Sequence, residues 1–335
     1  MQLHNSVTDV PGIEVGHAQD DDALTGCTAI LCRQGAVGGV DVRGGAPGTR
    51  ETDLLNPVNL VEKVHAVMLA GGSAFGLDAA SGAMRYLEEH KIGFNTGVGL
   101  VPIVPAAIIF DLNLGRSDIR PDAEMGYRAC VAASPGPVTE GNAGVGAGAT
   151  IGKILGPKRA MKSGLGTASI ALGGGLVVGA LAVVNAFGDV IDPSTGQIVA
   201  GARSTDIGPF HIGSPGSFAS TQEVMKSLVG RALLGFATRG NTVLAVVAMN
   251  ADLTKPQATK VAQMAHDGVA RAIRPAHTML DGDTVFTLAT GGHKADVSTL
   301  GAFAAETLSL AIVRAVRTAS SAGGLPGLRD PENAA

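Results

Sequence analysis

Two apolar patterns along the chain predict its main elements. Short, continuous apolar runs predict buried strands, and apolar residues spaced three or four apart predict helices. The predicted strands are 64–72, a hairpin of two strands within 164–192, 242–250 and 281–291. The predicted helices are 73–90, 122–133, 254–273 and 296–320. The helix at 254–273 has a good start, because Thr254 is a capping residue, Gln257 follows three residues later and Pro256 lies in the first turn.

The remaining segments have weaker patterns. Residues 1–45 are predicted to form short strands joined by Gly-rich turns, 141–153 a Gly-rich loop, and the tail from 323 a loose end. From about Ser204 to Gly240 the chain is polar and irregular, apart from a short helix predicted at 221–236. Because strand pairs stand between helices without strict alternation, the order favours a layered α+β sandwich.

Composition narrows the class of protein. The 335 residues are 45% hydrophobic with a mean hydropathy of +0.27, enough for a large core in one big domain or two modest ones. The net charge is −4, and no basic block with interleaved aromatics indicates nucleic-acid binding. The three cysteines have no metal-like spacing and are expected to be reduced thiols in a cytoplasmic protein. Neither a signal peptide nor a membrane-spanning run is expected.

Three familiar motifs are incomplete. Gly-Gly-Ser-Ala-Phe-Gly around Ser73 lacks the last glycine of a nucleophile elbow and is better explained as a strand-to-helix turn. A phosphate-loop pattern ending at Lys153 has Ala147 and Ile154 where a glycine and a hydroxyl are needed. The eight histidines are scattered; His266 and His277 flank one helix, but no metal-ligand spacing occurs.

Thr242 stands at an abrupt change of pattern. A polar segment ending in Gly240 and Asn241 precedes it, and an almost wholly apolar strand follows. The ordinary explanation is that a β-branched residue starts a strand well. The alternative is that the chain is cut before Thr242, since an N-terminal threonine carries its own base, an α-amine with a pKa of about 7.7–8.0. Gly and Asn are the turn-tolerant residues that a strained bond needs.

Two further features are candidates to lie close to such a nucleophile. Asp281 and Asp283 place two carboxylates beside a strand start, although a capped turn is the ordinary explanation. Lys153 follows the Gly-rich loop and is either a fixed charge near a site or a structural residue.

Five segments in order resemble the L-aminopeptidase/D-esterase family, which includes β-peptidyl aminopeptidases and nylon-oligomer endohydrolases. They are GGVDVRGGAPGTRETDLL, VMLAGGSAFGLDAA, GNAGVGAGATIGK, GNTVLAVVAMNADLTK and HTMLDGDTVFTLATG, and the similarity runs from about residue 8 to 320. The resemblance implies a four-layer αββα sandwich like that of N-terminal-nucleophile hydrolases, with different strand connectivity. It also implies a precursor that cuts itself and exposes a terminal Ser or Thr nucleophile.

The resemblance assigns the reacting bond. Thr242 matches the nucleophile and Asn241–Thr242 the scissile bond, so one domain, 1–335, is expected to be cut into 1–241 and 242–335. Asp281 and Asp283 match an acidic pair of the nylon-oligomer branch, where β-aminopeptidases have Ser and Glu. On this basis the carboxylates orient the amine and hydroxyl.

The resemblance also assigns the surroundings. Lys153 matches a lysine of the nylon-oligomer branch that keeps the charge balance, and Asn185 matches an Asn that helps hold the oxyanion. Phe110 stands where characterised relatives have a Tyr that donates to the oxyanion. Because Phe cannot donate, either a backbone amide substitutes or the substrate range differs.

The function implied is a self-processing amide hydrolase of aminopeptidase or amidase type that acts on a small peptide or amide without a metal or other cofactor. The alternatives are a nylon-oligomer-type endoamidase, an acyl transferase like ornithine acetyltransferase, and a non-enzymatic Gly-rich scaffold. A homo-oligomer, a tetramer of processed heterodimers as in relatives, is expected, since low charge leaves apolar surface to cover.

Overall fold

The computed structural model describes residues 3–207, 210–213, 217–228, 230 and 240–333. Within these residues the α-helices are α1 (Ala79–Glu89), α2 (Ala123–Val131), α3 (Thr221–Lys226), α4 (Lys255–Ala272) and α5 (Val297–Arg317). The strands are β1 (Glu14–Asp20), β2 (Thr25–Val42), β3 (Thr49–Arg50), β4 (Lys63–Ala70), β5 (Phe94–Asn95), β6 (Leu100–Val101), β7 (Ala106–Ile108), β8 (Thr150–Ile151), β9 (Met161–Lys162), β10 (Leu165–Gly173), β11 (Leu176–Asn185), β12 (Asp189–Ile191), β13 (Ile198–Ala200), β14 (Ala202–Arg203), β15 (Thr205–Ile207), β16 (Phe210–Ile212), β17 (Phe218–Ala219), β18 (Thr242–Ala251), β19 (Ile273–Arg274) and β20 (Thr284–His293).

The main sheet has the strand order β10-β11-β18-β20-β2-β4-β7-β3, with β1 paired to β2. The long strand β2 joins two halves of this sheet. Its first part pairs with β1 and β4, its last part pairs with β20, and the register shifts between Leu31 and Ala36. One half of the sheet is therefore built on β10, β11, β18 and β20, and the other on β1, β4, β7 and β3.

Three buried clusters show how the two halves pack. The middle cluster combines residues of β11, β18 and β20, such as Leu181, Val246 and Phe286, with residues of β4 such as Val67 and Leu69. A second cluster lies between β10, β11, β18, β20 and the helices α4 and α5. A third lies between β2, β4 and the helices α1 and α2. The order helices, sheet half, sheet half, helices confirms the predicted four-layer αββα sandwich.

Most predicted elements are present close to their predicted bounds. The 164–192 hairpin, the strand from Thr242 and the helices α2, α4 and α5 all form. Thr254 and Gln257 make a reciprocal capping box at the start of α4, with Pro256 in the first turn. In the predicted helix 73–90, Ser73–Asp78 is a 3-10 helix and only Ala79–Glu89 is α-helical. The later part of the predicted helix 221–236 lies outside the described residues.

Two expectations are wrong. The segment predicted as short strands with Gly-rich turns contains one 18-residue strand, β2. Gly26 and Gly39 in this strand lie against packed backbone and are not turns; a Cβ at Gly39 would be 2.4 Å from the carbonyl carbon of Ala258 in α4. The tail is not loose over its described part. Leu325 is buried, the N–H of Lys162 donates to the carbonyl of Pro326, and that of Arg329 donates to Ala319.

Among the described helices, α5 has the length and apolar character of a membrane span, with a mean hydropathy of 1.4 over 18 residues. However, 67% of that window is buried inside the molecule. The helix lies in an outer layer, where Leu308, Ala311 and Ile312 pack into the cluster formed with β10 and β11. Its apolar residues are accounted for by the core.

Candidate active site

Three strands bring the predicted residues to one edge of the sheet. β18 begins at Thr242, β11 runs antiparallel to it and ends at Asn185, and β20 runs parallel to it and begins directly after Asp283. The end of β11 therefore lies beside the starts of β18 and β20. Asn185 is the direct partner of Thr242 in the β11–β18 register.

The hydroxyl of Thr242 lies against the peptide group that precedes it. Thr242 is 4% exposed, and its Oγ1 donates to the carbonyl oxygen of Asn241 at 2.5 Å. The backbone N–H of Gly282 donates to the same oxygen at 2.8 Å. A Cβ at Gly282 would lie 2.9 Å from Thr242 Oγ1 and 2.7 Å from the carbonyl oxygen of Ala46. Glycine at 282 thus leaves room for the hydroxyl while its amide holds the carbonyl.

Asp283 ties the start of β18 to a histidine. Its Oδ1 accepts the N–H of Val243 at 2.7 Å, and its Oδ2 accepts the N–H and the Nδ1 of His277 at 3.0 and 2.7 Å. Asp283 is only 1% exposed to solvent. Three donors on a buried carboxylate fix its orientation, so Asp283 sets the direction of the backbone immediately after Thr242.

A second histidine supports the first. The rings of His266 and His277 meet edge to face with centroids 4.7 Å apart. His266 lies in α4, is 1% exposed, and its Nε2 contacts the carbonyl oxygen of Asp41 at 3.0 Å. Burial lowers the pKa of His266 to about 4, so its ring is neutral at pH 7. The His266 ring therefore packs against His277 without adding a charge beside Asp283.

Asp281 stabilises the turn before Gly282. Its Oδ2 accepts the N–H and hydroxyl of Thr278 at 3.0 and 2.5 Å, and its Oδ1 lies 3.5 Å from the N–H of Phe187. Burial, and then the neighbouring charge of Asp283, raise the pKa of Asp281 above its usual value. The two carboxylates differ in task, since Asp281 holds the turn and Asp283 holds the strand.

Lys153 and Asn185 form a buried pair on the other side of Thr242. Lys153 Nζ donates to the side-chain and backbone oxygens of Asn185 at 2.7 and 3.0 Å, and Thr150 donates to the same side-chain oxygen from its N–H at 3.1 Å. Burial lowers the pKa of Lys153 to about 7, against the opposing effects of Asp281 and Asp111. With its oxygen occupied, the Asn185 amide must present its Nδ2 as a donor.

The Nδ2 of Asn185 points at the segment that precedes Thr242. It donates to the carbonyls of Phe110 at 3.0 Å and Gly240 at 3.3 Å. The Phe110 ring lies over Gly240, where a Cβ would come within 2.5 Å of it. Phe110 therefore contributes a carbonyl and an apolar cover, and the Gly282 N–H is the backbone donor at the Asn241 carbonyl.

The incomplete motifs noted in the sequence form a turn and a loop in the structure. Ser73 begins a 3-10 helix at a φ of 54°, and its N–H donates to Ile109, as expected for a turn. The Gly-rich loop includes the 3-10 helix Gly144–Gly148 and leads to Lys153. In the described part of the chain, no group of three or more His, Cys, Asp or Glu side chains is placed to hold a metal.

The structure thus brings together the residues singled out from the sequence, which are Lys153, Asn185, Asn241, Thr242, Asp281 and Asp283. The two carboxylates were expected to orient the amine and hydroxyl of Thr242, and the structure differs in what they contact. Among the described hydrogen bonds, the carboxylates reach Val243, Phe187 and Thr278 and not the Thr242 hydroxyl itself. Sequence reasoning also missed the Gly282 amide and His277, although the contiguous segment His-Thr-Met-Leu-Asp-Gly-Asp at 277–283 was a signal for both.

Sequence comparisons identify the family of the chain. The model of peptidase family S58 matches residues 5–329. A protein of Mycobacterium tuberculosis named as an uncharacterized aminopeptidase is 46% identical, over 97% of each chain. The 6-aminohexanoate-oligomer endohydrolase of a Kocuria species is 29% identical, over 92% of this chain and 85% of its own.

Solved structures share the fold. A β-aminopeptidase from a Burkholderia species superimposes with a TM-score of 0.70 at 22% identity, over 97% of this chain and 91% of its own. An L-aminopeptidase D-Ala-esterase/amidase from Ochrobactrum anthropi, described as a variant of the Ntn hydrolase fold, gives 0.72 at 19% identity, over 98% and 92%. With the family match over nearly the whole chain, the protein belongs to peptidase family S58 and is a hydrolase of peptide or other amide bonds.

Proposed function

We propose that this chain is a self-processing amide hydrolase in which cleavage of the Asn241–Thr242 bond makes Thr242 an N-terminal nucleophile. The observation that carries the proposal is the 2.5 Å contact of Thr242 Oγ1 with the Asn241 carbonyl oxygen, which also accepts the Gly282 N–H. A hydroxyl held on a peptide group, with an amide on the carbonyl oxygen, has the parts of an intramolecular acyl transfer.

In the processing step, Thr242 Oγ1 forms a bond to the carbonyl carbon of Asn241. Negative charge develops on the carbonyl oxygen, where the Gly282 N–H stabilises it. The C–N bond then breaks, and the hydroxyl proton passes to the nitrogen of Thr242. Water hydrolyses the resulting ester, which leaves Asn241 with a carboxylate and Thr242 with a free amine and a free hydroxyl.

Cleavage also frees two hydrogen-bond donors for the substrate. The Gly282 N–H loses the Asn241 carbonyl, and Asn185 Nδ2 loses the Gly240 carbonyl when the new chain end departs. Both donors lie beside Thr242, so a substrate carbonyl in the vacated position meets them. One such donor contributes about 3–4 kcal/mol to transition-state stabilisation in other hydrolases. The Gly282 N–H thereby replaces the oxyanion donor that relatives have in a tyrosine, since Phe110 at that position cannot donate.

Turnover then follows the chemistry of an N-terminal nucleophile. The α-amine takes the proton of Thr242 Oγ1 as the oxygen attacks an amide or ester carbonyl, and it returns the proton to the leaving group. The free amine of a chain end has a pKa of about 7.7–8.0, so a working fraction is unprotonated near neutral pH. Asp283 orients the strand that carries the amine, and Lys153 orients Asn185. Water releases the acyl-enzyme.

The names of relatives indicate which substrates to test first. One relative is named as an aminopeptidase and another as a 6-aminohexanoate-oligomer endohydrolase. Small peptides and linear amides are therefore the proposed substrates. A cytoplasmic location is proposed on the three cysteines, all free and buried.

The test is a substrate panel on purified, processed protein. The panel contains L-amino-acid amides, D-amino-acid amides, β-peptides and 6-aminohexanoate oligomers. We expect hydrolysis of at least one class, retention of activity in Thr242→Ser, and loss to background in Thr242→Ala. Equal turnover by Thr242→Ala would contradict the assignment of the nucleophile. Transfer of the acyl group to an added amine, in place of hydrolysis, would favour the acyl-transferase alternative.

A further inference from the structure

A cavity of about 460 Å³ has Thr150 and Lys153 in its wall, the two residues that bond to the side chain of Asn185. Its size is within the range of sites that hold small ligands. The residues that line it are Asn113, Leu114, Thr150, Lys153, Pro157, Lys158, Ala160, Gly323, Gly324 and Leu325. This cavity is distinct from the cluster of Asp281, Asp283 and His277, which lies around Gly282.

The cavity reaches the reactive threonine through Asn185. Thr150 and Lys153 both line the cavity, and both donate to the side-chain oxygen of Asn185. Asn185 in turn pairs directly with Thr242 across β11 and β18. A ligand in the cavity therefore extends to within a few side chains of the hydroxyl, as the remote part of a substrate must.

Lys158 supplies the free positive charge of the cavity wall, because the Nζ of Lys153 is already bonded to Asn185. The lining includes two lysines, Lys153 at the buried end and Lys158 at the exposed end, and polar groups of Asn113 and Thr150. No carboxylate is among these described lining residues. Such a wall attracts an anion and gives a cationic group no partner.

The far wall is held in place before a ligand arrives. Gly323, Gly324 and Leu325 form it, and Ala322 and Leu325 pair through their backbones. The carbonyl of Pro326 accepts the N–H of Lys162 at 2.9 Å. A wall fixed by backbone hydrogen bonds lowers the ordering cost of binding.

We propose that this cavity binds a carboxylate of the substrate, so that the enzyme prefers amides that carry a free carboxylate on the part of the substrate remote from the bond to be cut. The inference deepens the proposed hydrolase function and rests on it. Lys158 is the cation that meets the carboxylate at the cavity mouth, and Asn113 adds a neutral donor. Linear amides with a terminal acid, including peptides and ω-amino-acid oligomers, have this chemistry.

Binding of a simple acid and its neutral counterpart tests the site without turnover. Hexanoate and hexanamide have the same length, and the acid is ionised at pH 7. Calorimetric titration of the purified, processed protein should show hexanoate binding about fivefold more tightly, the scale of one partly exposed ion pair. Lys158→Gln should reduce this ratio toward one, whereas Lys260→Gln, on an exposed position of α4, should leave it unchanged.

Three results would overturn the inference: equal affinity for both ligands, a preference that survives in Lys158→Gln, or an equal loss in both variants. A kinetic comparison separates this failure from failure of the proposed function. A peptide and its C-terminal amide are hydrolysed in parallel, and the inference predicts a lower KM for the free acid. Hydrolysis of both with equal KM rejects the carboxylate site alone. Selective hexanoate binding without any hydrolysis rejects the hydrolase proposal alone.

Discussion

Gly282 lies where a side chain would press on the reacting hydroxyl. In Gly282→Ala the new methyl group would lie 2.9 Å from Thr242 Oγ1 and 2.7 Å from the carbonyl of Ala46. Because backbone cannot move as a flexible side chain can, we expect the hydroxyl to turn away from Asn241 and self-cleavage to slow by about 10²-fold, the loss that follows a displacement of roughly 1 Å. The measurement is the fraction of full-length chain over time on a denaturing gel.

Gly99→Ala is the matched control, since a Cβ there meets nothing within 4 Å. The control should process at the parent rate. If Gly282→Ala also processes at the parent rate, the tight approach at this glycine has no part in cleavage. Thermal midpoints of both variants distinguish slow processing from misfolding.

We expect Asp283 to affect catalysis more than Asp281, because it holds the backbone N–H that directly follows Thr242. In Asp283→Asn one side-chain oxygen can still accept the Val243 N–H, but the new NH₂ faces the two donors of His277. The start of β18 should lose its alignment. The α-amine that cleavage creates on Thr242 should also lose a nearby negative charge, which lowers the pKa of that amine. We expect turnover to fall by roughly 10²-fold or more and processing to slow, measured as kcat on the best substrate and as cleavage rate.

Asp281→Asn is the comparison for that variant. Its hydrogen bonds lie within the turn and at Phe187, so its effect should fall more on the thermal midpoint than on turnover. Near-normal processing and turnover in both variants would return the Asp-Gly-Asp segment to the role of an ordinary turn.

At the residue scale the sequence predicted which side chains lie together better than what they touch. Thr242 was visible at the change from polar loop to apolar strand, and Asn185, Lys153 and the two aspartates followed from resemblance. The roles of the Gly282 amide and His277 were missed, because the segment 277–283 marks their position but not which groups the folded turn brings into contact. A contact between His277 and Asp283 depends on how the turn closes.

At the scale of elements, the spacing of apolar residues predicted the helices because each has one buried face. Continuous apolar runs predicted the hairpin, whose strand β11 is buried over almost its whole length. The pattern failed for β2, whose glycines were taken as turns, although one of them, Gly39, lies where the backbone of α4 approaches closely. It failed for the tail as well, since the bonds that hold the tail run to Lys162 and Ala319 in distant parts of the fold. Local pattern carries no information on such long-range contacts.

The element order predicts that the two proposed fragments stay together. β18 and β20 of the small fragment lie between β11 and β2 of the large fragment, with backbone pairing on both sides. The fragments should therefore elute together on native size exclusion after cleavage, without a disulfide, and separate in concentrated urea. Separation under native conditions would contradict the sheet order.

At the scale of the whole molecule, buried charge should shape stability. Burial lowers the pKa of both Lys153 and Lys162 to about 7, while an unfolded lysine has a pKa of about 10.4. Between pH 7 and about 8.5 the unfolded chain therefore binds more protons, so the free energy of unfolding should rise with pH, by about 1 kcal/mol per pH unit for each group. Above that range ionisation of cysteines in the unfolded chain opposes the rise, because burial raises the pKa of Cys32 and Cys130 to about 12.

Urea unfolding of Thr242→Ala, which should remain a single chain, measures this slope. Adding Lys162→Met should flatten the slope and lower stability, because three carbonyls lose their donor. Lys260→Met, at an exposed position, should change neither. Parallel slopes in the Lys162→Met variant and its parent would contradict the account.

The surface also bears on assembly. Val58, Leu60 and Val98 are 87%, 82% and 99% exposed, so apolar side chains do reach solvent in the isolated chain. A tetramer of processed heterodimers remains a prediction. Native light scattering tests it, and a mass near 33.5 kDa would contradict it.

Intact-mass measurement of the purified protein after incubation tests the central claim most directly. Self-cleavage at Asn241–Thr242 predicts two species with the masses of residues 1–241 and 242–335, and a single full-length species for Thr242→Ala. A wild-type chain that stays at full length, or that is cut at another bond, would contradict the account.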